Sequence, residues 1–176
     1  MVVELGDFKD SFEGIGSWDE AAGAASNLIF MRADDGMLSL DIQSLRDYLD
    51  DCIGLVFGDN ASKHVTQPMC FIFWEELGAI GLRLSRSLGF DLDRDFLIST
   101  LIRKQRDYGH ENIARFGRIG LFVRLHDKVA RLENLLQSGA TPENESLTDN
   151  LLDVLGYCAI GLMWEAEMFL RPLERR

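Results

Sequence analysis

Glu145, Asp149 and Asp153 stand four residues apart along one stretch of the chain. On a helix, residues at that spacing lie about 40° apart around the axis, so the three carboxylates would climb a single face, a turn apart. Such a ladder is ordinarily a solvated surface. The neighbouring residues argue otherwise here: from Leu151 to Trp164 the sequence runs LLDVLGYCAIGLMW, with Asp153 the sole charge in a segment apolar around nearly its whole circumference. That is the pattern of a buried helix. A carboxylate carried into such a helix is costly unless a cation or several donors meet it. Two solutions are open: a divalent metal ion held by oxygen ligands, or an Arg or Lys from a facing helix.

The natural facing helix precedes the ladder, where Arg124, Asp127, Lys128, Arg131 and Asn134 form a polar strip beside the apolar stripe of Phe122, Leu125, Val129, Leu132 and Leu136. Gly139, Thr141 and Pro142 make the short connection that sets two successive helices antiparallel. Either Arg124, Lys128 and Arg131 neutralise the ladder directly, or Asp127 joins Glu145, Asp149 and Asp153 as an oxygen cage for Mg²⁺ or Mn²⁺. In the second case the cations are left for the phosphates of a ligand. Upstream, Tyr108, Gly109, His110, Glu111 and Asn112 bring together a ring, a permissive backbone and side-chain donors and acceptors. Such a set can stack on and read a nucleobase while Lys104 approaches phosphate, and it can equally be a polar helix junction. His110 and His126 suit acid–base work by residue type alone, and His64, in a loop, has no special role. No Ser/His/Asp or Cys/His series, P-loop or dinucleotide fingerprint is legible.

The elements that must position these groups are helical. Ser17 precedes Trp18, Asp19 and Glu20, a helix start with acids in its first turn, and the helix runs to about Arg32 before Gly36. A second spans about Ser39 to Phe57, with Leu40, Leu45, Leu49, Ile53 and Val56 on one face. A loop around Gly58 to Pro68 suggests a boundary between an N-terminal helical appendage, residues 1–65, and a main body, residues 66–176. The body opens with a helix carrying Phe71, Trp74, Leu77, Ile80 and Leu84, followed by one that Asp91 to Asp93 open and that runs up to Arg103. Gly109, Gly117 and Gly120 then predict a bend or broken helix. The last helix runs from Asn144 or Glu145 to near Pro172, and residues 1–16 read as a loosely ordered arm. Period-two alternation is almost absent, so the chain is expected to be all-α, a bundle of roughly five or six helices.

Bulk properties bound the function. The chain has 176 residues, 47% of them apolar and 27% charged, the balance of a globular protein with a sizeable core. A net charge of −11 argues against coating nucleic acid, which needs cations to neutralise phosphates. It leaves room for a small anionic ligand met by a few local cations. Cys52, Cys70 and Cys158 are widely spaced in apolar sequence and read as reduced core residues of a cytoplasmic protein. The first residues lack the pattern of a signal peptide, and LLDVLGYCAIGLMW is too short to span a membrane.

The order Lys104, Asp107, Tyr108, Gly109, Asn112, then Arg124, Asp127, Lys128, Arg131, then Asn144, Glu145, Ser146, Asp149, Asp153 and Tyr157 resembles the phage-rich domain labelled nucleotide-modification-associated. That domain is similar to the MazG-like, all-α nucleoside triphosphate pyrophosphohydrolases, and the resemblance covers about residues 100–165. It implies a MazG-like bundle and a Mg²⁺ enzyme that hydrolyses a (deoxy)nucleoside triphosphate to the monophosphate and pyrophosphate. In that family a Glu pair with a further Glu three residues later, then a Glu and an Asp three apart, hold the metals. Here Asp153 stands where the last acid belongs and position 150 is Asn. Glu75 and Glu76 supply paired acids, with Ala79 where a third is expected.

On this reading Glu145, Asp149 and Asp153 are catalytic and, with Asp127, hold the metal. Lys104, Arg124, Lys128 and Arg131 hold phosphate, and Tyr108, His110 and Asn112 contact the base. The alternatives are a phage protein that binds a nucleotide or signalling nucleotide without turnover, and a helical adaptor whose ion pairs are structural. The expected setting is the cytoplasm, that of the host for a phage-encoded chain, with a nucleotide ligand and neither nucleic acid nor membrane as partner. Ile160, Trp164, Met168 and Phe169 extend the apolar surface of the last helix, and the resemblance implies a homodimer or homotetramer.

Overall fold

A computed structural model describes residues 7–35, 40–58, 65–139 and 145–175, and among these every regular element is a helix. They are α1 (Asp7–Asp10), α2 (Trp18–Asp34), α3 (Ile42–Phe57), α4 (Gln67–Ser87), α5 (Arg94–Tyr108), α6 (Glu111–Ala114), α7 (Gly117–Ser138) and α8 (Leu147–Glu165). The all-α bundle is as expected. The count exceeds five or six because α1 and α6, four residues each, are too short to show a period in sequence. The His64 and Asn144 positions lie outside the described residues.

Helix α8 sits at the centre, packed against α4, α7 and α2, with α5 along one edge. Its Leu151, Val154, Leu155, Cys158, Ala159, Leu162 and Met163 are all fully buried, as a helix apolar on every side requires. Contacts pair Gly117 with Trp164, Lys128 with Asp153 and Arg131 with Glu145, numbers rising along α7 as they fall along α8, so the two run antiparallel. The α4–α8 contact is closest where Gly161 lies under the indole of Trp74: a Cβ there would stand 2.3 Å from Trp74 Cδ2.

The stretch before residue 65 is no appendage to a separate core. Trp18, Ala21, Ala25 and Ile29 of α2 and Leu45 and Leu49 of α3 belong to the same buried cluster as α4, α7 and α8. The loop whose composition suggested a boundary lies largely outside the described residues. The expected loose arm is likewise partly docked, since Phe12 is buried with its ring edge-on to Phe71.

Ser17 caps α2 as expected, its hydroxyl accepting from the Glu20 amide at 3.1 Å while the Glu20 carboxylate returns to the Ser17 amide. Helix α5 continues to Tyr108, beyond the expected end at Arg103, and stops at Gly109, whose φ of +66° suits a residue without Cβ. Gly117 opens α7, whereas Gly120 lies inside it, so two of the three suspected glycines break the chain.

Helix α8 ends at Glu165, earlier than Pro172, where Glu167 turns to a φ of +61° and the amides of Met168 and Phe169 reach back to the Met163 carbonyl. The tail then crosses the start of α2, and the Trp18 amide, an unpaired donor of the first helical turn, finds the Pro172 carbonyl at 2.8 Å. Phe169 is buried, and Ile160, Trp164 and Met168, partly buried, pack against the core. No described helix is long and apolar enough to cross a membrane.

The close α4–α8 contact gives a test with an internal control. Gly161→Ala should cost about 1–3 kcal/mol through overpacking against Trp74, whereas Gly54→Ala in α3, where an added methyl meets nothing within 4 Å, should gain about 0.5–1 kcal/mol. Urea midpoints should therefore move in opposite directions.

Candidate functional site

Most of the polar residues singled out by sequence converge on one cleft of about 500 Å³ between α5, α7 and α8, lined also by α6 and the first residue of α2. Helix α5 contributes Leu97, Leu101, Lys104, Gln105 and Tyr108, a single face at spacings of three and four. Arg124 and Lys128 come from α7, one turn apart. Leu152, Asp153, Gly156 and Tyr157 come from α8, and Glu145 from just before that helix. Gly156 lets α5 approach, since a Cβ there would meet Leu101 Cδ2 at 3.2 Å.

Of the two solutions open to Asp153 in sequence, the structure shows the cation, supplied by two lysines. Its Oδ1 accepts from Lys104 Nζ at 2.5 Å and its Oδ2 lies 2.8 Å from Lys128 Nζ. Lys128 is shared, donating to Glu145 Oε2 at 2.7 Å, and Arg131 stands 3.7 Å from that same oxygen. Burial, the largest single influence on Lys128, pulls its pKa down, but the hydrogen bonds and charges of Asp153 and Glu145 outweigh it and hold the ammonium above the ordinary lysine value. Lys128 is therefore a fixed cation at neutral pH. Arg124 donates to the Asn112 carbonyl at 3.1 Å and so pins α6 to α7.

Beside the cleft lie buried polar atoms that no described residue satisfies. Trp18 Nε1, Gln105 Nε2 and Asn112 Oδ1 are buried without a partner, half of the six such side-chain atoms among the described residues. Each unpaired buried group costs about 1–3 kcal/mol.

Four residues expected at the site do not reach it. Asp149 completes a capping box: its Oδ2 accepts from the Ser146 amide at 3.0 Å and the Ser146 hydroxyl at 2.8 Å, while the Asp149 amide donates back to Ser146 Oγ. Asp127 is exposed and outside the cleft lining. Arg131 is outside the cleft lining and stands 3.7 Å from Glu145. His110 turns away, its Nε2 donating to the Arg171 carbonyl at 3.1 Å and its ring edge-on to Phe169. Tyr108 and Asn112 do line the cleft, Tyr108 at its exposed mouth.

These positions decide how well the acids fit Mg²⁺, which demands a near-octahedral set of oxygen ligands. Both Asp153 oxygens rest on ammoniums, Glu145 shares one of them, Asp149 closes a helix cap and Asp127 lies elsewhere. The donor set as arranged does not fit a resident divalent ion, and no three His, Cys, Asp or Glu side chains among the described residues gather into a metal-binding group. The paired acids on α4 do not join the cleft either: Glu76 is held by Arg32 at 2.7 Å and Arg83 at 2.8 Å. Asn150, where the resemblance would place an acid, is fully buried and donates to the Ser146 carbonyl. The cysteines are free and buried, and burial pushes the Cys70 thiol up to about 11, so none is an activated nucleophile.

Sequence reasoning missed Trp18 and Gln105, whose types carry no signal in apolar or polar runs. It also missed Glu165, the most buried acid of α8, gripped by Arg118 through two bonds of 2.7 and 2.6 Å. A signal for Asp149 did exist: Ser146 followed three residues later by an acid, ahead of an apolar run, is a capping-box spacing.

Compared with known proteins, the chain matches no family model, no curated protein and no solved structure. The site is therefore read from its own geometry, that of an all-α protein with an ion-lined cleft.

The capping assignment is checkable. Ser146→Ala should remove about 1 kcal/mol of stability at neutral pH. Hydrogen bonds from Ser146 hold the Asp149 carboxyl below its ordinary value, so its contribution is present above that ordinary value and lost as pH falls through the lowered one. The gap between wild type and variant in urea midpoint should narrow in acid; a gap that persists unchanged to the lowest pH would contradict the assignment.

Proposed function

We propose that the chain binds a small anionic ligand in this cleft, a nucleotide being the class its lining suits, and that it holds the ligand without hydrolysing it. The observation that carries the reading is the local reversal of charge. In a protein of net charge −11, this cleft is lined by three cations, Lys104, Arg124 and Lys128, against two carboxylates, Glu145 and Asp153. A concave, low-dielectric wall focuses that excess, so an anion is drawn to a molecule that otherwise repels it. The size, about 500 Å³, is that of a small-molecule site, and the mixture of apolar wall and few polar groups is typical of one.

In the free protein the carboxylates act as tethered counter-ions. Asp153 keeps Lys104 and Lys128 in place and neutralised; an incoming phosphate competes for the same ammonium hydrogens. Tyr108, at the mouth, offers a ring face to whatever the phosphate carries. The hydrolytic reading drawn from the resemblance would need the acids free to take a metal, and their present partners weigh against it.

One substitution separates the two readings. For an anion site, Asp153→Asn removes the internal competitor, and affinity for pyrophosphate and nucleoside triphosphates should rise about fivefold to tenfold, on the order of 1 kcal/mol. Lys128→Met should weaken it by at least a similar factor. For a metal-dependent hydrolase the same Asp153→Asn change would abolish metal-supported binding and turnover. Calorimetry with and without a chelator, alongside an assay for phosphate release in Mg²⁺ or Mn²⁺, reads both. Binding that vanishes in chelator, or on loss of the Asp153 charge, would overturn the proposal.

A further inference from the structure

Helix α7 turns more than one face outward. Arg124 and Lys128 line the cleft, while Ile119, Val123 and Asp127, four residues apart and outside that lining, share a neighbouring face open to solvent. Ile119 is 59% and Val123 57% exposed, and Phe116, just ahead of the helix, is 63% exposed. Phe57, at the end of α3, lines one groove with Phe116 and Ile119 and continues the apolar surface. Four of the ten large apolar side chains exposed among the described residues thus gather in one place, a grouping that marks an interaction surface.

The charges at its two ends narrow the occupant. Arg115 stands at one end, its guanidinium 6.0 Å from the centre of the Phe116 ring, and Asp127 at the other, both exposed. Ion pairs along α7 are made by Arg118, Lys128, Arg131 and Glu133, and among the described residues Arg115 and Asp127 take part in none. Twelve residues separate the two, about 18 Å of helical rise, too far for a contact within one chain. A second copy running antiparallel brings them together. Arg115 with Asp127, and Ile119 with Val123, have the same midpoint, residue 121. A two-fold axis at that level sets each Ile119 against the partner's Val123 and each Arg115 against the partner's Asp127, so one register forms the apolar contact and both charge pairs twice over. The four apolar side chains present on the order of 400 Å² per copy, so that two copies with their polar rim bury about 1,000 Å², the lower limit of a specific interface.

We propose that two copies of this chain associate through this face, α7 packed antiparallel on α7 about residue 121 and closed at both ends by ion pairs between Arg115 and Asp127. The surface differs from the one singled out in sequence on α8, whose Ile160, Trp164 and Met168 pack against the chain's own core. It is also independent of what the cleft binds. An interface of this size gives a dissociation constant in the micromolar range.

Analytical ultracentrifugation of the full chain between about 1 and 200 µM tests it, and should show a monomer–dimer equilibrium. Asp127→Arg places two arginines together at each end and should raise the dissociation constant about tenfold or more, as should Arg115→Asp, which faces two aspartates. The double variant, with the charges exchanged, should return it to within about threefold of wild type. Ile119→Ser should weaken association about tenfold. All three positions are exposed, so the variants keep the fold, which circular dichroism checks. A chain that stays monomeric throughout would overturn the proposal and leave the face to a different occupant. A dimer indifferent to Ile119→Ser would overturn it by placing the contact elsewhere. A charge exchange that restores nothing would overturn it as well, because the face would then meet a surface other than itself.

Discussion

A carboxylate on a helix buried from every side must be met by positive charge, and the way Asp153 is met organises one half of the molecule. Its two oxygens take ammoniums from two different helices, Lys104 of α5 and Lys128 of α7, so that one charge ties three helices around a cleft. The other end of α8 solves the same problem differently. Glu165 is held by the planar fork of Arg118, with the Trp74 indole donating at 3.3 Å. A guanidinium fork fixes geometry, whereas a lysine is a point charge on a flexible stem that can change partners. Helix α8 thus carries a closed ion pair at one end and an exchangeable one at the other, and the exchangeable pair faces the larger space.

Much of this was legible before any coordinates, for physical reasons that differ from element to element. The long helices announce themselves through apolar spacing, and Ser17 through the acids that follow it. The meeting of Asp153 with the Lys128 helix followed from charge in an apolar run plus a short connection. The rest was hidden for equally physical reasons. Charge spacing alone does not distinguish Asp149, which spends its carboxylate on a helix cap, from Asp153 one turn later, which projects into a cleft. Trp18 sits at the first turn of a helix far away in sequence, and nothing local ties it to α5. The stretch near residue 60 has the composition of a linker, yet the helices on both sides share one core, because the composition of a connection says nothing of the packing of what it connects.

The cleft is also where the fold departs from maximal stability. A cluster of five charges lines a space that leucines would fill more favourably, and three unpaired polar atoms are buried in residues beside it. Elsewhere the packing is tight enough that a single methyl at Gly161 has no room. Local departures from good packing and full pairing, surrounded by regions that observe both, are the usual sign of a site kept for a ligand.

The crossing of the tail over α2 has a consequence for how the protein comes into being. Glu174 donates its amide to Asp19 across 155 residues of chain, and the Trp18 amide depends on the Pro172 carbonyl in the same way. At bacterial or eukaryotic translation speeds that interval is on the order of ten seconds. During it, the helices that supply the cations can already assemble, but the end of α2 bearing the indole lacks the partner that seats it. That end of α2 is thereby seated only once residues made far later reach it, so that a nascent chain meets its surroundings with one side of the cleft not yet set.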